Sequence, residues 1–249
     1  MERLITTYSA LEWSSDEALV TKTRAPSTDG RRRFRNELRV NRLLRAYPPP
    51  VLTPALVGHD VQRRSLTFTA VKGEPLGPKY PIDLRLEQVD SLADIGRRLR
   101  RFQPERRWFR RLDSVRRLQN AHHAGLLDGD QASDLIALAR ATHRRARFAH
   151  GDLTARNVLD GPIGLTLIDW EWAGLYPEGY ELAFLWFSLV EVEGGRARVE
   201  ALADCDERAF LLSALLVQLW HLQWYVPQEF RDKHLVTRDQ LMARLRTAS

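Results

Sequence analysis

The segment from Lys72 to Pro78 divides the chain into two parts with different patterns of apolar residues. Its sequence, Lys-Gly-Glu-Pro-Leu-Gly-Pro, combines glycines and prolines, which interrupt regular structure. Before it, short apolar runs alternate with polar turns, as is typical of strand pairs. After it, apolar residues recur every three or four positions, as on one face of a helix. We therefore predict an α+β chain with a hinge in this segment.

The part before the hinge predicts a small antiparallel sheet with one helix. Strands are expected at 3–12 and 17–23, and again at 55–60 and 65–71. A helix is expected at 31–46, because its apolar residues lie at helical spacing and a run of three prolines follows it. Residues 1–72 would then form an N-terminal lobe.

The part after the hinge, 73–249, predicts a larger helical lobe. Helices are expected at 86–102, 131–146, 180–191, 206–225 and 238–247, with two short strands at 157–159 and 165–168. The most apolar stretch, 210–226, contains polar residues, so we expect a buried helix there and no membrane span.

Length and composition limit the class of protein. With 249 residues, 44% of them apolar, the chain can bury a substantial core. The single cysteine, Cys205, excludes an internal disulfide framework and a multi-cysteine zinc site, and the start of the chain does not resemble a signal peptide. We therefore expect a cytoplasmic protein. The net charge of +6 is mostly due to arginine, with the densest run at 97–117, which could attract an anionic partner or simply be a solvated surface.

The stretch from His150 to Glu171 carries the residue types that phosphoryl transfer requires. Asp152 and Asn157 lie five positions apart in one loop, and Asp169 follows a short hairpin that we expect to return the chain to the same place. A carboxylate and an amide carbonyl are ligands that suit Mg²⁺, and a second carboxylate can take the proton of an acceptor hydroxyl. The spacing therefore predicts two metal ligands and a base around one phosphate.

Two motifs in this stretch resemble the aminoglycoside phosphotransferase and choline kinase branch of the protein-kinase-like superfamily. They are His-Gly-Asp-Leu-x-x-x-Asn at 150–157 and Ile-Asp-Trp-Glu at 168–171. The resemblance implies a two-lobe protein-kinase-like fold, with a small antiparallel-sheet N-lobe and a larger helical C-lobe. It also implies that Asp152 is the catalytic base and that Asn157 and Asp169 hold Mg²⁺.

The resemblance extends to the first lobe, where it implies a nucleotide-binding site. Lys22 ends an apolar strand, and Glu37 lies on the next helix in the Phe-x-x-Glu-Leu context of the family. There the two residues would form the ion pair that places the lysine on the α- and β-phosphates of ATP or GTP. The segment 66–73 resembles the strand and hinge whose backbone binds adenine, chiefly near Ala70 and Val71. The alternative is that Lys22 and Glu37 are ordinary surface charges.

The glycine-rich loop that kinases carry before the lysine strand is missing from the sequence. The first glycine is Gly30, which comes after Lys22. If the strands at 3–12 and 17–23 are the second and third of the lobe, the first strand and its loop would precede Met1. Otherwise the enzyme lacks this cover and binds nucleotide with modest affinity, because the loop's backbone N–H donors are missing.

The resemblance implies that the neighbourhood downstream of Asp169 faces the acceptor. The carboxylates of Glu171 and Glu178 could attract a cationic acceptor, whereas Glu181 is expected to be a structural cap. Four aromatic residues of the C-terminal part could line an acceptor pocket, although core packing explains them as well. They are Trp186, Trp220, Trp224 and Tyr225.

The sequence predicts a small-molecule kinase that transfers the γ-phosphate of ATP or GTP, with Mg²⁺, to a hydroxyl of an antibiotic, an amino sugar or a similar metabolite. Antibiotic resistance is one role that such an enzyme could have. Trp170 and Glu171, where protein kinases carry Phe-Gly, favour this branch. Two alternatives stay open: a compact kinase or ATPase of an RNA-associated or protein assembly, and a nucleotide-binding pseudokinase. A nucleic-acid partner is not expected, and the sequence does not determine the oligomeric state.

Overall fold

The computed structural model describes residues 3–5, 9–78, 84–226 and 228–248. The strands are β1 (Arg3–Ile5), β2 (Ser9–Trp13), β3 (Leu19–Arg24), β4 (Leu56–Asp60), β5 (Ser65–Thr69), β6 (Glu74–Pro75), β7 (Arg147–Ala149), β8 (Val158–Gly161), β9 (Gly164–Leu167) and β10 (Gly174–Tyr176). The helices are α1 (Thr28–Ala46), α2 (Leu86–Arg101), α3 (Ser114–His123), α4 (Gly129–Thr142), α5 (Tyr180–Ser188), α6 (Gly195–Leu202), α7 (Glu207–Trp224) and α8 (Gln228–Thr247).

Contacts group the chain into two compact units. The first unit comprises Met1–Lys79 with Thr154–Ala173, and the second comprises Tyr80–Leu153 with Gly174–Ser249. The sequence-based division at 72/73 follows the order of the chain, whereas contacts place residues 154–173 with the N-terminal part. The segment with the two predicted metal ligands, Asn157 and Asp169, therefore belongs to the same unit as the lysine strand.

The first unit contains a five-stranded antiparallel sheet with strand order β1-β2-β3-β5-β4. The prediction of one strand at 3–12 is wrong, because β1 and β2 are separate strands that pair antiparallel with each other. A strand, β1, already comes before the β2–β3 hairpin, so the strand order does not require one before Met1. The connection at 6–8, where a phosphate-covering loop would fall, lies outside the described residues.

Helix α1 packs on this sheet and begins at a defined cap. The Ser27 hydroxyl accepts a hydrogen bond from the Gly30 N–H at 2.9 Å, which satisfies one of the free donors of the first turn. Phe34 and Leu38 of α1 form a buried cluster with Leu66 and Phe68 of β5. Burial of each such side chain contributes about 1.5–3 kcal/mol, so the cluster fixes the helix against the strands.

A second sheet of the first unit is built on the β8–β9 hairpin, which lies between Asn157 and Asp169. β8 pairs with β9 on one side and with the short β6 on the other, so the segment predicted as a hinge contributes a strand. Gly73, just before β6, has a φ of +155°, and a Cβ there would lie 2.6 Å from the carbonyl oxygen of Asp160. Glycine is therefore required for this close approach of the two strands.

The second unit is mainly helical, with one two-stranded sheet of β7 and β10. Helix α7 is buried along most of its length, as the sequence predicted. The α+β class is thus confirmed. Helices α3 and α6 were not predicted, since each is short and buries only two residues. Within the described part of the chain, no helix has both the length and the apolar character needed to cross a bilayer.

Candidate active site

Lys22 of β3 lies between two carboxylates of the first unit. Its Nζ donates to Glu37 Oε1 at 3.0 Å and to Asp169 Oδ1 at 2.7 Å. Lys22 and Glu37 are buried, while the Asp169 side chain is 30% exposed. The structure therefore brings together three of the residues that the sequence selected, and the alternative of ordinary surface charges is wrong for Lys22 and Glu37.

Arg24 is a second cation of this cluster that the sequence analysis did not identify. Successive side chains of a strand point to opposite faces, so Arg24 emerges on the same face as Lys22. Its Nη2 donates to Glu37 Oε2 at 2.6 Å and forms an ion pair with Glu171. The signal was available as the Lys-x-Arg spacing at the end of a predicted strand. Glu37 thus binds one cation through each of its oxygens.

Helix α1 also holds the segment that follows Asp169. Arg33 Nη1 donates to Glu171 Oε1 at 2.9 Å, and the guanidinium lies 4.6 Å from the centre of the Trp172 ring. Asn36 Nδ2 donates to the carbonyl oxygens of Glu171 and Ala173, at 2.8 and 3.1 Å. The suggestion that the Glu171 carboxylate attracts a cationic acceptor therefore needs correction, because it is buried and paired with arginines of its own unit.

Asn157 and Asp169 flank the base of the β8–β9 hairpin. The Ile168 N–H donates to the Asn157 carbonyl oxygen at 2.9 Å, so the residues that border the two strands are neighbours. Asp169 has a φ of +66°, a left-handed conformation that is uncommon outside glycine. An amide and a carboxylate on adjacent backbone segments are a donor set that suits Mg²⁺.

Three carboxylates of this region come close enough to share a cation. Ligand oxygens of Glu37, Asp169 and Glu171 lie within 4.8 Å of one another. Lys22 and Arg24 already supply positive charge to this group, and both reach Asp169, Arg24 at 3.5 Å. Glu37 and Glu171 are fully engaged as ion-pair partners, so Asp169 is the carboxylate that best fits a metal ligand.

Ala70 and Val71 follow β5 directly. The Ala70 N–H donates to the Ala18 carbonyl oxygen at 2.8 Å, so this donor is used within the sheet. The predicted contact with adenine therefore involves the carbonyl group of Ala70 or the backbone of Val71, and it stays a prediction.

Asp152 belongs to the second unit, in the loop that follows β7. Glu181, at the start of α5, accepts hydrogen bonds from the backbone N–H groups of His150 and Gly151, the latter at 3.0 Å. Gly151 has a φ of +83°, which glycine adopts without strain. Glu181 thus fixes the two residues before Asp152, which confirms its interpretation as a structural cap. The predicted convergence of Asp152 with Asn157 and Asp169 stays a prediction.

The environment of Glu181 changes its protonation. The pKa of Glu181 is raised to about 7, chiefly by burial and to a smaller extent by the nearby Asp152. Hydrogen bonds from the N–H groups of Gly151 and His150 partly oppose this shift. Burial likewise raises the pKa values of Tyr176 and Tyr180, with Asp152 adding to both shifts. Asp152 is therefore within electrostatic range of this buried group of residues.

The remaining acceptor candidates of the second unit fall into different environments. Glu178 is paired with Arg100 at 2.9 Å, so it also has a cation of its own. Trp186 is buried and belongs to the core, as the alternative interpretation held. Trp224 and Tyr225 are 64% and 51% exposed, so core packing does not explain them.

The arginine run at 97–117 is largely engaged within the second unit. Arg106 donates to the carbonyl oxygens of Arg144 and Ala146, and Arg111 donates to that of His143. Arg100 binds carboxylates, as described for Glu178. These guanidinium groups cap backbone carbonyls and neutralise acids, which explains much of the run without an external polyanion.

Comparisons with known proteins identify the family of the chain. The model of the phosphotransferase enzyme family matches residues 6–215. An aminoglycoside phosphotransferase solved with GDP and kanamycin superposes with a TM-score of 0.64 and 18% identity, covering 98% of this chain and 93% of that one. No curated protein matches the sequence.

Choline kinases have similar structures as well. The choline/ethanolamine kinase family protein from Mesorhizobium loti gives a TM-score of 0.61 at 14% identity, covering 99% of this chain and 87% of that one. The choline kinase LicA from Streptococcus pneumoniae gives 0.62 at 12% identity, covering 98% and 95%. At these identities the likeness concerns the fold, which is the two-lobe kinase-like fold expected from the sequence.

Proposed function

Because the chain belongs to the phosphotransferase enzyme family and is a phosphotransferase with an alcohol group as acceptor, we propose that it transfers the γ-phosphoryl group of ATP or GTP to a hydroxyl of a small molecule. The observation that carries this proposal is the position of Lys22, whose Nζ contacts both Glu37 and Asp169. An ion-paired lysine next to a metal-binding aspartate is the arrangement that positions a nucleotide triphosphate.

Each predicted residue has one role in this proposal. Lys22 binds the phosphates of the donor, and Glu37 holds Lys22 in place. The backbone near Ala70 and Val71 binds the base of the nucleotide. These contacts orient the donor before transfer. Positioning of this kind, together with electrostatic stabilisation, provides most of the catalysis in phosphoryl transfer.

Asn157 and Asp169 would hold Mg²⁺, and their oxygen donors fit this ion. When bound, Mg²⁺ would neutralise charge on the triphosphate oxygens. The hairpin bond between the Ile168 N–H and the Asn157 carbonyl keeps the two residues together. The partial exposure of Asp169 leaves its carboxylate accessible, in contrast to the buried Glu37.

Asp152 orients the acceptor hydroxyl and takes its proton. The acceptor oxygen forms a bond to the γ-phosphorus while the bond to the leaving nucleoside diphosphate breaks, and the proton goes to the Asp152 carboxylate. Glu181 supports this role, because it fixes the loop that carries Asp152. A triphosphate donor also supports a cytoplasmic location.

The experiment is an incubation of the purified chain with Mg-ATP or Mg-GTP and a panel of antibiotics, amino sugars, amino alcohols and other hydroxyl metabolites. A mass increase of one phosphoryl group identifies the acceptor. In the variant Asp152→Asn, transfer should fall roughly 100-fold or more while nucleotide binding, measured by calorimetry, stays the same. Retained transfer in this variant would remove Asp152 from the role of base, and nucleotide binding without any transfer would favour the pseudokinase alternative.

A further inference from the structure

Arg117 of α3 is a half-buried cation whose contacts are aromatic. Its guanidinium lies 4.6 Å from the centre of the Trp220 ring, and its Nη1 donates to the Tyr180 hydroxyl at 3.0 Å. Within the described part of the chain, no carboxylate lies at ion-pair distance from Arg117. Its other N–H groups belong to a planar fork that fits a carboxylate or a phosphate.

The acids of the same unit that could have attracted a cationic acceptor are already used. Glu178 is paired with Arg100, and both oxygens of Glu181 accept backbone N–H groups of the loop before Asp152. Neither carboxylate is thus available to an ammonium group without the loss of an existing contact. Among the described residues of this unit, Arg117 is instead a cation for which no carboxylate partner is found.

Arg117 lies near the predicted base. Burial raises the pKa of Tyr180, the Arg117 guanidinium opposes this shift, and Asp152 adds to it. The Tyr180 phenol therefore lies within electrostatic range of both Arg117 and Asp152. The ring of Tyr176 lies 4.3 Å from that of Tyr180 and responds to both charges in the same way. The contacts agree, because Arg117 donates to Tyr180, and Glu181, the next residue of α5, accepts the backbone N–H groups of His150 and Gly151. A molecule bound at Arg117 is therefore close to the loop that carries Asp152.

Exposed aromatic rings continue from Arg117 towards solvent. The Trp220 ring that stacks on Arg117 lies 6.2 Å from each of the rings of Trp224 and Tyr225. Those two side chains, at the end of α7, are 64% and 51% exposed. Large aromatic side chains exposed next to a cation are typical of a surface that binds a ligand with an anionic end and an apolar or ring-shaped body.

We propose that Arg117, Trp220, Trp224 and Tyr225 form an acceptor-binding site, and that the acceptor is an alcohol bearing a carboxylate or a phosphate. Arg117 binds the anionic group through its free fork of N–H donors, and the exposed rings contact the body of the molecule. That the bound molecule is a phosphoryl acceptor rests on the proposed function, whereas the anion site itself does not depend on it. It predicts a substrate class opposite in charge to an aminoglycoside or an amino alcohol.

A binding experiment tests the anion site without any turnover. Benzoate, phenyl phosphate, benzylamine and benzyl alcohol are titrated into the full chain at constant ionic strength, with dissociation constants from ligand-observed NMR. We expect benzoate or phenyl phosphate to bind about tenfold more tightly than benzylamine, since a charge-assisted pair is gained only by the anions. The two anionic probes separate carboxylate from phosphate recognition.

Variants of neighbouring residues assign the effect. Arg117→Gln should weaken the preferred anionic probe about tenfold and leave benzyl alcohol unchanged. Arg116→Gln, which removes an exposed arginine at the next position of α3, is the matched control and should change neither. Trp224→Ala should weaken all aromatic probes roughly threefold. Because Trp224 is largely exposed, this variant reports on the site even if Arg117→Gln does not fold.

A turnover experiment separates this inference from the proposed function. D-Gluconate, D-glucose 6-phosphate, D-glucose and D-glucosamine are compared as acceptors with Mg-ATP and Mg-GTP. Preference for an anionic acceptor, lost in Arg117→Gln, supports both proposals. Transfer to glucosamine that Arg117→Gln does not alter overturns the inference and leaves the function intact. Anion binding that depends on Arg117, without transfer to any acceptor, supports the anion site and contradicts the proposed function. Absence of benzoate and phenyl phosphate binding at 20 mM, roughly the weakest affinity a single charged pair gives, overturns the inference.

Discussion

Arg24 changes how the lysine–glutamate pair of the first unit is maintained. Glu37 binds Lys22 through Oε1 and Arg24 through Oε2, so loss of either cation leaves the buried carboxylate with the other. A buried carboxylate with no partner would cost several kcal/mol, and Arg24 keeps Glu37 paired while Lys22 shares its charge with a phosphate. Binding of the donor is thus not opposed by the need to keep Glu37 neutralised.

The first prediction concerns Lys22→Met. Transfer should fall roughly 100-fold, because the donor phosphates lose their cation, whereas the free energy of unfolding should change little, since Arg24 still pairs with Glu37. Initial rates and urea unfolding measure the two effects. Lys72→Met, which removes an exposed lysine of the same unit, should alter neither. A strongly destabilised Lys22→Met would show that Arg24 does not replace the lysine.

The second prediction concerns pH and Glu181. Burial raises its pKa from 4.5 in the unfolded chain to about 7 in the folded one, so the folded state binds more protons between these values. Its contribution to stability is full below pH 4.5 and is lost as the pH rises through 7, a change on the order of 3 kcal/mol. Glu181→Gln cannot titrate. The wild-type free energy of unfolding should therefore decline relative to that of the variant between pH 5 and 8, and parallel curves would contradict the shift.

At the scale of elements, helix α1 positions the segment after Asp169. Arg33 binds the Glu171 side chain, and Asn36 binds the two carbonyl groups of Glu171 and Ala173. The helix also carries Glu37, so one element orients both Lys22 and the segment that follows Asp169. A displacement of α1 would therefore move Glu37 and the segment after Asp169 together.

The third prediction tests this coupling with Asn36→Ala. Loss of two hydrogen bonds to buried carbonyl groups should cost about 1–3 kcal/mol of unfolding free energy and should raise the KM for the nucleotide more than that for the acceptor. Asn120→Ala, on an exposed position of α3, is the matched control. Equal effects on both KM values would point to a general loss of structure instead.

The predicted helices and strands were accurate where a long pattern of apolar residues marked them. They were wrong where the sequence between two elements contains no turn-forming residue types. Helix α1, with its proline stop, begins three residues before the predicted start and ends at the predicted residue. The division into β1 and β2 was not predicted, because the sequence between them, Thr-Thr-Tyr, consists of strand-forming residue types without glycine, proline or asparagine. Helix α8 begins ten residues before its prediction, since its first turns are mostly polar.

At the scale of the whole molecule, metal and nucleotide should act as one ligand. The fourth prediction is that Mg-ATP or Mg-GTP raises the thermal midpoint by mass action, by an amount that grows with the logarithm of its concentration, and that EDTA removes most of the shift. Asp169→Asn should reduce the shift as EDTA does, because the carboxylate ligand is lost. A shift that survives in both cases would mean that nucleotide binds without the metal site.

The sequence by itself determined the α+β class, the lysine strand, the glutamate helix and the two motifs of the catalytic part, because these depend on local spacing along the chain. Only the tertiary structure decided which charges are paired. Arg33 meets Glu171 across 138 positions and Arg117 meets Tyr180 across 63, so no local pattern specifies these contacts. Packing of α1 and α3 sets them, and it leaves Glu171 and Glu178 neutralised while Arg117 faces aromatic rings.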